Sequence, residues 1–252
     1  MKLSIITITY NSAATLEATI QSVINQDYPN IEYIIIDGKS TDSTLEIVTK
    51  YKSKIAKVIS EKDHGLYDAL NKGILNATGD VIGFLHSDDV YYDNTILSQV
   101  MTAFANQPEA QGLYGDLIFV ERLDLNKIKR VWHSGTYVQD AFLNGWMPPH
   151  PTFFVRKEIY QKHGNFNTKL KHAADYELML RFIHVHKINL IYLPEIIVRM
   201  RMGGASNFSF RNKWEAHLED REAWRINGLK PNPLKLMLKP LSKISQYFKR
   251  SH

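Results

Sequence analysis

Four short runs of mainly apolar residues set the rhythm of the first half of the chain. Leu3-Ser4-Ile5-Ile6-Thr7-Ile8 and Ile31-Glu32-Tyr33-Ile34-Ile35-Ile36 are dense in β-branched side chains. Such density without clean alternation suits strands buried on both faces. Val81–Leu85 has the same character, and Lys57-Val58-Ile59-Ser60 predicts a shorter strand. Between the runs the apolar spacing lengthens to three and four. Leu16, Ile20, Val23 and Ile24 predict a helix over about 13–26, capped by Asn11 or Ser12. A second helix opens at Ser40-Thr41-Asp42 and carries Leu45, Ile47 and Val48. Residues 66–76 predict a third, with Leu66, Leu70 and Ile74 on one face.

Strand and helix therefore alternate, and alternation predicts an α/β fold with a largely parallel, Rossmann-like central sheet flanked by helices. Ligands of such sheets bind beyond the carboxyl ends of the strands. The polar clusters Thr9–Asn11, Asp37–Asp42, Glu61–Gly65 and His86–Asp89 fall where the four predicted strands stop. The second half is less regular. Gly112–Val120 and Lys129–His133 predict two strands joined through a charged hairpin, Gly145–Pro151 a loop with three prolines, 174–185 a helix, Ile188–Leu193 a strand and 211–226 a polar helix.

Composition narrows the chemistry. The 252 residues include no cysteine, which excludes disulfides and thiolate metal sites. Any metal must be held by oxygen or imidazole, which favours Mg or Mn over structural zinc. No apolar stretch reaches the roughly 18 residues that a membrane span needs, so the expected location is cytoplasmic or membrane-peripheral. The net charge of +5 is concentrated at one end: Lys230, Lys235, Lys239, Lys243, Lys249 and Arg250 have no acidic neighbour after position 229. The remainder is close to neutral, which argues against a nucleic-acid partner.

Six constellations could carry chemistry. Asp88-Asp89 sits at a strand end, where adjacent carboxylates repel unless a cation or donors neutralise them; such pairs are also ordinary turn and cap chemistry. Asp37 follows a buried strand and could accept a hydrogen bond from a base or a ribose, or simply close a turn with Gly38. Asp63, in Glu61-Lys62-Asp63-His64-Gly65, could contact a nucleotide, with Gly65 permitting close backbone approach. Asp175 in His172-Ala173-Ala174-Asp175 is either a dipole-matched helix cap or a general base. His150 is presented by the stiff Pro148-Pro149-His150-Pro151 segment. Arg199 and Arg201, before Gly203-Gly204, suit a mobile anion-binding loop.

In this order, the segments SIITITYN at 4–11, IIIDGKSTDST at 34–44, EKDHGLYDALNKGI at 61–74, ATGDVIGFLHSDD at 77–89, HPTFFVRK at 150–157 and HAADYELMLR at 172–181 resemble the family 2 glycosyltransferases of GT-A fold. The likeness covers about residues 1–205 and is strongest in the first ninety. It is greatest to bacterial enzymes that build O-antigen, capsule or exopolysaccharide. The resemblance implies inverting transfer of a sugar from a nucleotide-sugar donor, expected to be a UDP-sugar, to a hydroxyl of a glycan or lipid-diphosphate-linked acceptor. It assigns Thr9, Tyr10, Asn11, Asp37, Asp63 and Asp88 to the nucleotide, Asp89 to a Mn or Mg ion and Asp175 to the catalytic base. His86, His150 and Arg201 become donor or acceptor contacts. His86 departs from the family pattern, which often has Asp there, and its partner is left open between metal, ribose and neither.

The expected organisation is a GT-A domain over 1–229, with a nucleotide-sugar half at about 1–110 and a variable acceptor half at about 111–229. A basic amphipathic C-terminal helical tail follows at 230–252. Its leucines, Ile244, Tyr247 and Phe248 interleave with lysines, a pattern suited to peripheral contact with the inner face of the cytoplasmic membrane. A sugar-phosphate nucleotidyltransferase would want a glycine-rich phosphate loop after the first strand, and Thr9-Tyr10-Asn11-Ser12-Ala13 has no glycine. A dinucleotide oxidoreductase would want G-x-G-x-x-G there. A non-catalytic binding protein for nucleic acid would use a basic, aromatic face, whereas positive charge here sits mainly at the tail and the acidic strand ends would repel phosphate unless a metal is bound.

Overall fold

The four runs become strands β1 (Leu3–Thr9), β2 (Ile31–Asp37), β3 (Lys57–Ser60) and β4 (Val81–Phe84) in the computed structural model, which describes residues 1–203 and 210–230. Helices α1 (Leu16–Ile24), α2 (Thr44–Lys50) and α3 (Leu66–Asn76) connect them. After β4 come β5 (Val90–Tyr91), α4 (Ile96–Asn106), β6 (Gly112–Val120), β7 (Ile128–Trp132), β8 (Phe154–Arg156), α5 (Lys157–His163), α6 (Ala174–Met179), β9 (Leu190–Arg201) and α7 (Phe210–Ile226).

These strands form one sheet in the order β3-β2-β1-β4-β8-β6-β9-β5, with β7 paired to β6. The strands β1 to β4 are parallel neighbours. Only β8 between β4 and β6, and the outlying β5 and β7, run against the rest. Two successive reversals restore direction, so β6 and its parallel partner β9 run with β1 to β4. The two expected halves of the domain thus share a single sheet and a single carboxyl-end rim.

Side-chain alternation divides the core between two faces. Leu3, Ile5, Tyr33, Ile35 and Val81 meet α1, α2 and α4 through Leu16, Ile20, Val48, Leu97 and Phe104. On the opposite face Ile6, Ile34, Ile36, Ile82 and Phe84 meet α3, α5 and α6 through Leu70, Ile74, Ile159 and Leu178. Gly83 lets β4 lie against β8: a Cβ there would stand 2.5 Å from the Phe154 ring.

Several sequence expectations are corrected. The first helix begins at Leu16 behind Thr15 rather than at 13, because Ser12 to Thr15 are engaged in a turn. Leu66 is exposed at the start of α3, whereas Leu70 and Ile74 are buried. The helix expected over 174–185 is α6 followed by a π-helical stretch, Leu180–Val185. The strand expected over 188–193 continues through Pro194 to Arg201. Pro194 lacks an N–H for the ladder, and the β6–β9 register shifts where it lies, between Tyr114 and Asp116. Arg199 and Arg201 are therefore strand residues rather than parts of a mobile loop. The tail expected at 230–252 lies outside the described residues beyond Lys230, as does Gly204 of the glycine pair.

At the amino ends of the strands the buried Glu32 is a tie point. It accepts from Lys2 Nζ at 2.7 Å, from Ser4 Oγ, and from the Thr78 backbone N–H at 2.7 Å and hydroxyl. Burial alone would raise its pKa, but these donors overcome that and hold the carboxyl at about 2. Replacing Glu32 by Ala removes the shared acceptor of four donors at the junction of β1, β2 and the segment entering β4. The expected cost is about 2–3 kcal/mol, read as a fall of about 5–10 °C in Tm by calorimetry.

Candidate active site

The register of the sheet builds the site. Thr9 is paired with Asp37, and Asp37 with Ser60, so β1, β2 and β3 deliver three polar side chains to one level. Asp37 is fully buried and accepts from Ser40 N at 3.1 Å, Ser40 Oγ at 2.5 Å and Ser60 Oγ at 2.6 Å. Those bonds fix the carboxylate at the mouth of the loop that follows β2. Gly38 comes next, and the Asp63 carboxylate lies directly against it. A Cβ at position 38 would stand 2.5 Å from Asp63 Oδ2 and 3.4 Å from the Tyr10 ring. Tyr10 is 62% exposed. An open aromatic face and a carboxylate thus flank a backbone with no side chain, an arrangement suited to a planar base and its polar edge.

Two straps hold the loops together. Asn11, at φ +48° in the left-handed region that Asn tolerates, accepts from Thr41 N at 2.8 Å, and its own N–H donates to Ser40 Oγ at 2.8 Å. Ser12 N donates to Thr44 Oγ1 at 2.8 Å, and Ser12 Oγ shares a 2.9 Å hydrogen bond with Ser87 Oγ. The side-chain carbonyl of Asn11 is therefore committed to the protein, while Thr9 Oγ1 is buried with no partner.

Beyond β4 the chain turns, with Asp89 N donating to His86 O at 3.0 Å. Asp89 is 1% exposed. Its Oδ1 receives the Arg201 backbone N–H at 3.3 Å, and its Oδ2 is buried without a partner among the described residues. Burial, and then the neighbouring charge of Asp88, push this carboxyl well above the usual carboxylate range; Arg201 opposes them weakly. A buried oxygen in need of a positive partner, beside a second carboxylate, fits a divalent cation. Among the described residues no group of three or more His, Asp or Glu side chains is placed to hold a metal ion. Arg201 reaches the same place from the end of β9. Its Nη1 donates to Arg122 O at 2.6 Å, and its buried Nε has no partner among the described residues.

The turn after β4 meets the segment before β8 at His86. Its ring stacks on His150 with centroids 5.4 Å apart, and His150 stacks on Phe84 at 5.7 Å. Burial, and then His150, lower the His86 pKa to about 4 against the attraction of Asp88 and Asp175. Both carboxylates are thus close enough to act on one imidazole, although they are far apart in the chain. Asp175 occupies the first turn of α6 and accepts the Tyr67 hydroxyl at 3.1 Å. Tyr67 comes from α3, where burial and Asp175 raise its pKa and keep it a donor.

A profile of glycosyl transferase family 2 matches residues 4–164. The chain belongs to glycosyl transferase family 2. A glycosyltransferase of PGL/p-HBAD biosynthesis from Mycobacterium bovis is 28% identical over 208 residues, 81% of this chain and 78% of that protein. An uncharacterized glycosyltransferase from Mycobacterium tuberculosis is 33% identical over 71% of this chain and 67% of its own length. In fold the enzyme resembles S. aureus TarS 1–349 solved with UDP-GlcNAc, at a TM-score of 0.68 and 20% identity over 90% of this chain and 65% of that one. It also resembles the mannosyltransferase PcManGT from Pyrobaculum calidifontis, solved with GDP-Man and Mn2+, at a TM-score of 0.69 and 18% identity over 96% of this chain and 69% of that one. This chain spans 44% of the longer TarS chain. The GT-A architecture implied by the sequence resemblance is therefore the architecture of the chain.

The residues singled out in the sequence gather along this rim: Thr9, Tyr10, Asn11, Asp37 and Asp63 around the β1–β3 ends, and His86, Asp88, Asp89, His150, Asp175 and Arg201 around the end of β4. Sequence reasoning passed over Ser40, Ser60 and Arg122, which hold Asp37 and Arg201, and gave Tyr67 no role. Tyr67 sits one position after Leu66 in a helical register, so its turn toward α6 was open to inference only once α6 was placed.

His150 is held at about pKa 4 by burial, like His86. Between pH 6.5 and about 4 the unfolded chain binds protons that the folded imidazoles refuse, so stability falls as pH falls through that window. His150→Gln removes one such group. The difference in unfolding free energy between wild type and His150→Gln should shift in favour of the variant, by about 1–3 kcal/mol, from pH 7 to pH 4.5 in urea titrations.

Proposed function

We propose that this family 2 enzyme transfers a sugar from a UDP-sugar to a hydroxyl of a glycan or lipid-diphosphate-linked acceptor, with inversion, in the synthesis of cell-surface polysaccharide. The observation that supports the reading is that Asp88 and Asp175 both lie near enough to His86 for their charges to act on its imidazole, as a donor-side and an acceptor-side carboxylate of one cleft would. The match to glycosyl transferase family 2 and the fold likeness to TarS with UDP-GlcNAc support it.

In this reading Tyr10 stacks against the uracil, Asp63 and the strapped backbone near Gly38 accept its polar edge, and Asp37, through the serines and backbone N–H it holds, fixes the loop that meets the ribose. Asp89, aided by Asp88, would hold a Mn or Mg ion, which when bound offsets negative charge on the diphosphate. The Mn2+ in the PcManGT structure supports that assignment. Arg201 adds a fixed positive charge beside Asp88 and Asp89, suited to a phosphate oxygen. Asp175 is oriented by the Tyr67 hydroxyl and takes the proton of the acceptor hydroxyl as that oxygen attacks the anomeric carbon from the face opposite the departing nucleotide. Stacked neutral imidazoles at His86 and His150 present ring edges to the reacting sugar without adding charge.

Two comparisons test this. UDP binding measured by calorimetry should strengthen at least about tenfold when Mn is added to wild type, and Asp89→Ala should abolish that gain. Asp175→Asn should lower kcat by about 10²–10⁴ while UDP affinity stays unchanged. UDP binding indifferent to Mn would remove the metal assignment, and full activity in Asp175→Asn would remove the base.

The lysines and apolar residues of 231–252 further support peripheral attachment to anionic lipid on the cytoplasmic side, near a lipid-linked acceptor. No helix among the described residues is long and apolar enough to cross a membrane. Deleting 231–252 should move the protein from the lipid layer to the aqueous layer in flotation with phosphatidylglycerol vesicles; an unchanged distribution would rule the attachment out.

A further inference from the structure

One buried carboxylate at the rim has no part in the reaction as described. Asp116 is 3% exposed in the middle of β6. It accepts three hydrogen bonds, from Ser134 N at 2.8 Å, Tyr192 Oη at 3.0 Å and His133 Nδ1 at 2.7 Å. The His133 side chain is about half exposed. With the proton on Nδ1, where the carboxylate holds it, Nε2 carries a lone pair. That nitrogen makes no hydrogen bond to any described residue. A buried carboxylate therefore fixes the tautomer and direction of an imidazole that faces solvent.

Its position is set by the sheet. Ile82 of β4 is opposite Val155 of β8, which is opposite Gly112 of β6. Counting forward along the two parallel strands, Asp116 is level with His86 and two strand spacings away, about 10 Å. It lies on the same face, because Tyr192, which binds it, stacks on Tyr114 at 5.4 Å, and Tyr114 belongs to the core that holds Phe84 and Tyr176. Aromatic side chains fill the interval. Trp146 packs edge-on to Tyr114 and donates its Nε1–H to Ser134 O at 2.8 Å. Tyr137 lies 5.1 Å from Trp146, and Phe142 joins Trp146 to Tyr176, the neighbour of Asp175. Trp146 and Tyr137 are both partly exposed.

Sugar rings present apolar C–H faces that pack on aromatic rings and a rim of hydroxyls that need directed partners. We propose that His133, held by Asp116, is a saccharide contact of the acceptor subsite: its Nε2 accepts a hydrogen bond from an acceptor hydroxyl while the sugar face rests on Tyr137 and Trp146. The assignment rests on the glycosyl-transfer reading above and adds the place where acceptor identity is read. Asp116 is a positioning residue that acts through the imidazole.

The test uses the full chain with UDP and Mn, and a panel of methyl glycosides (glucoside, galactoside, mannoside, rhamnoside and N-acetylglucosaminide) followed by saturation-transfer NMR. Wild type should show transfer to at least one glycoside. His133→Ala should weaken that glycoside by about tenfold, with UDP affinity within about twofold of wild type, and His133→Gln, which keeps an acceptor atom, should restore part of the loss. In the Asp116→Asn protein the ¹⁵N shifts of His133 should show the proton leaving Nδ1, with the same glycoside weakened. A wild type that engages no glycoside, a His133→Ala protein that binds it as wild type does, or parallel loss of UDP and glycoside would each overturn the assignment. The glycoside signal is also recorded without UDP, so failure of wild type to bind UDP would count against the donor reading alone.

Discussion

Negative charge crowded at one edge of a parallel sheet is the constraint on which the rest of this molecule depends. Parallel register brings Thr9, Asp37 and Ser60 to one level and places the Asp88-Asp89 turn beside them. Each carboxylate there must be answered. Asp37 is answered by two serines and a backbone N–H. Asp89 has one backbone donor and an oxygen with none. The asymmetry separates a carboxylate completed by folding from one that folding leaves incomplete, and incompleteness in a buried carboxylate is where a cation or a phosphate-bound ion gains most.

The two faces of the sheet then divide the labour. Helices α1, α2 and α4 pack one face of the sheet, while α3, α5 and α6 pack the face from which Tyr67, His150 and Asp175 reach the rim. Strand β8, running backwards between β4 and β6, attaches the second half of the chain to the same sheet. Asp89 and Asp175 are then set relative to each other by strand spacing and helix packing, both stiff.

Much of this was legible in the order of residues. The unalternating runs at 3–8, 31–36 and 81–85 announced doubly covered strands, and the polar breaks after them announced the rim. The second half of the chain was harder to read for specific physical reasons. β9 contains Pro194 in mid-strand, which ordinarily ends a ladder, and only the register shift in β6 makes it tolerable. β8 has three residues and β5 two, too short for a period to show. The arginines of Arg199-Met200-Arg201 looked like loop charge because the glycines behind them are strong breakers, whereas pairing with β6 and β5 carries the strand up to Arg201. Asp116 and His133 were invisible as a pair, since they are 17 positions apart and only the β6–β7 hairpin brings them together.

The straps between the first two loops have a further consequence. Asn11 bridges to Ser40 and Thr41, and Ser12 bridges to Thr44 and Ser87, through hydrogen bonds formed entirely within the protein. The ends of β1 and β2 and the turn after β4 are thereby tied to one another by the protein itself. Little conformational entropy remains to be lost in these loops when a ligand settles against them, so the affinity they give reflects contacts made rather than ordering incurred.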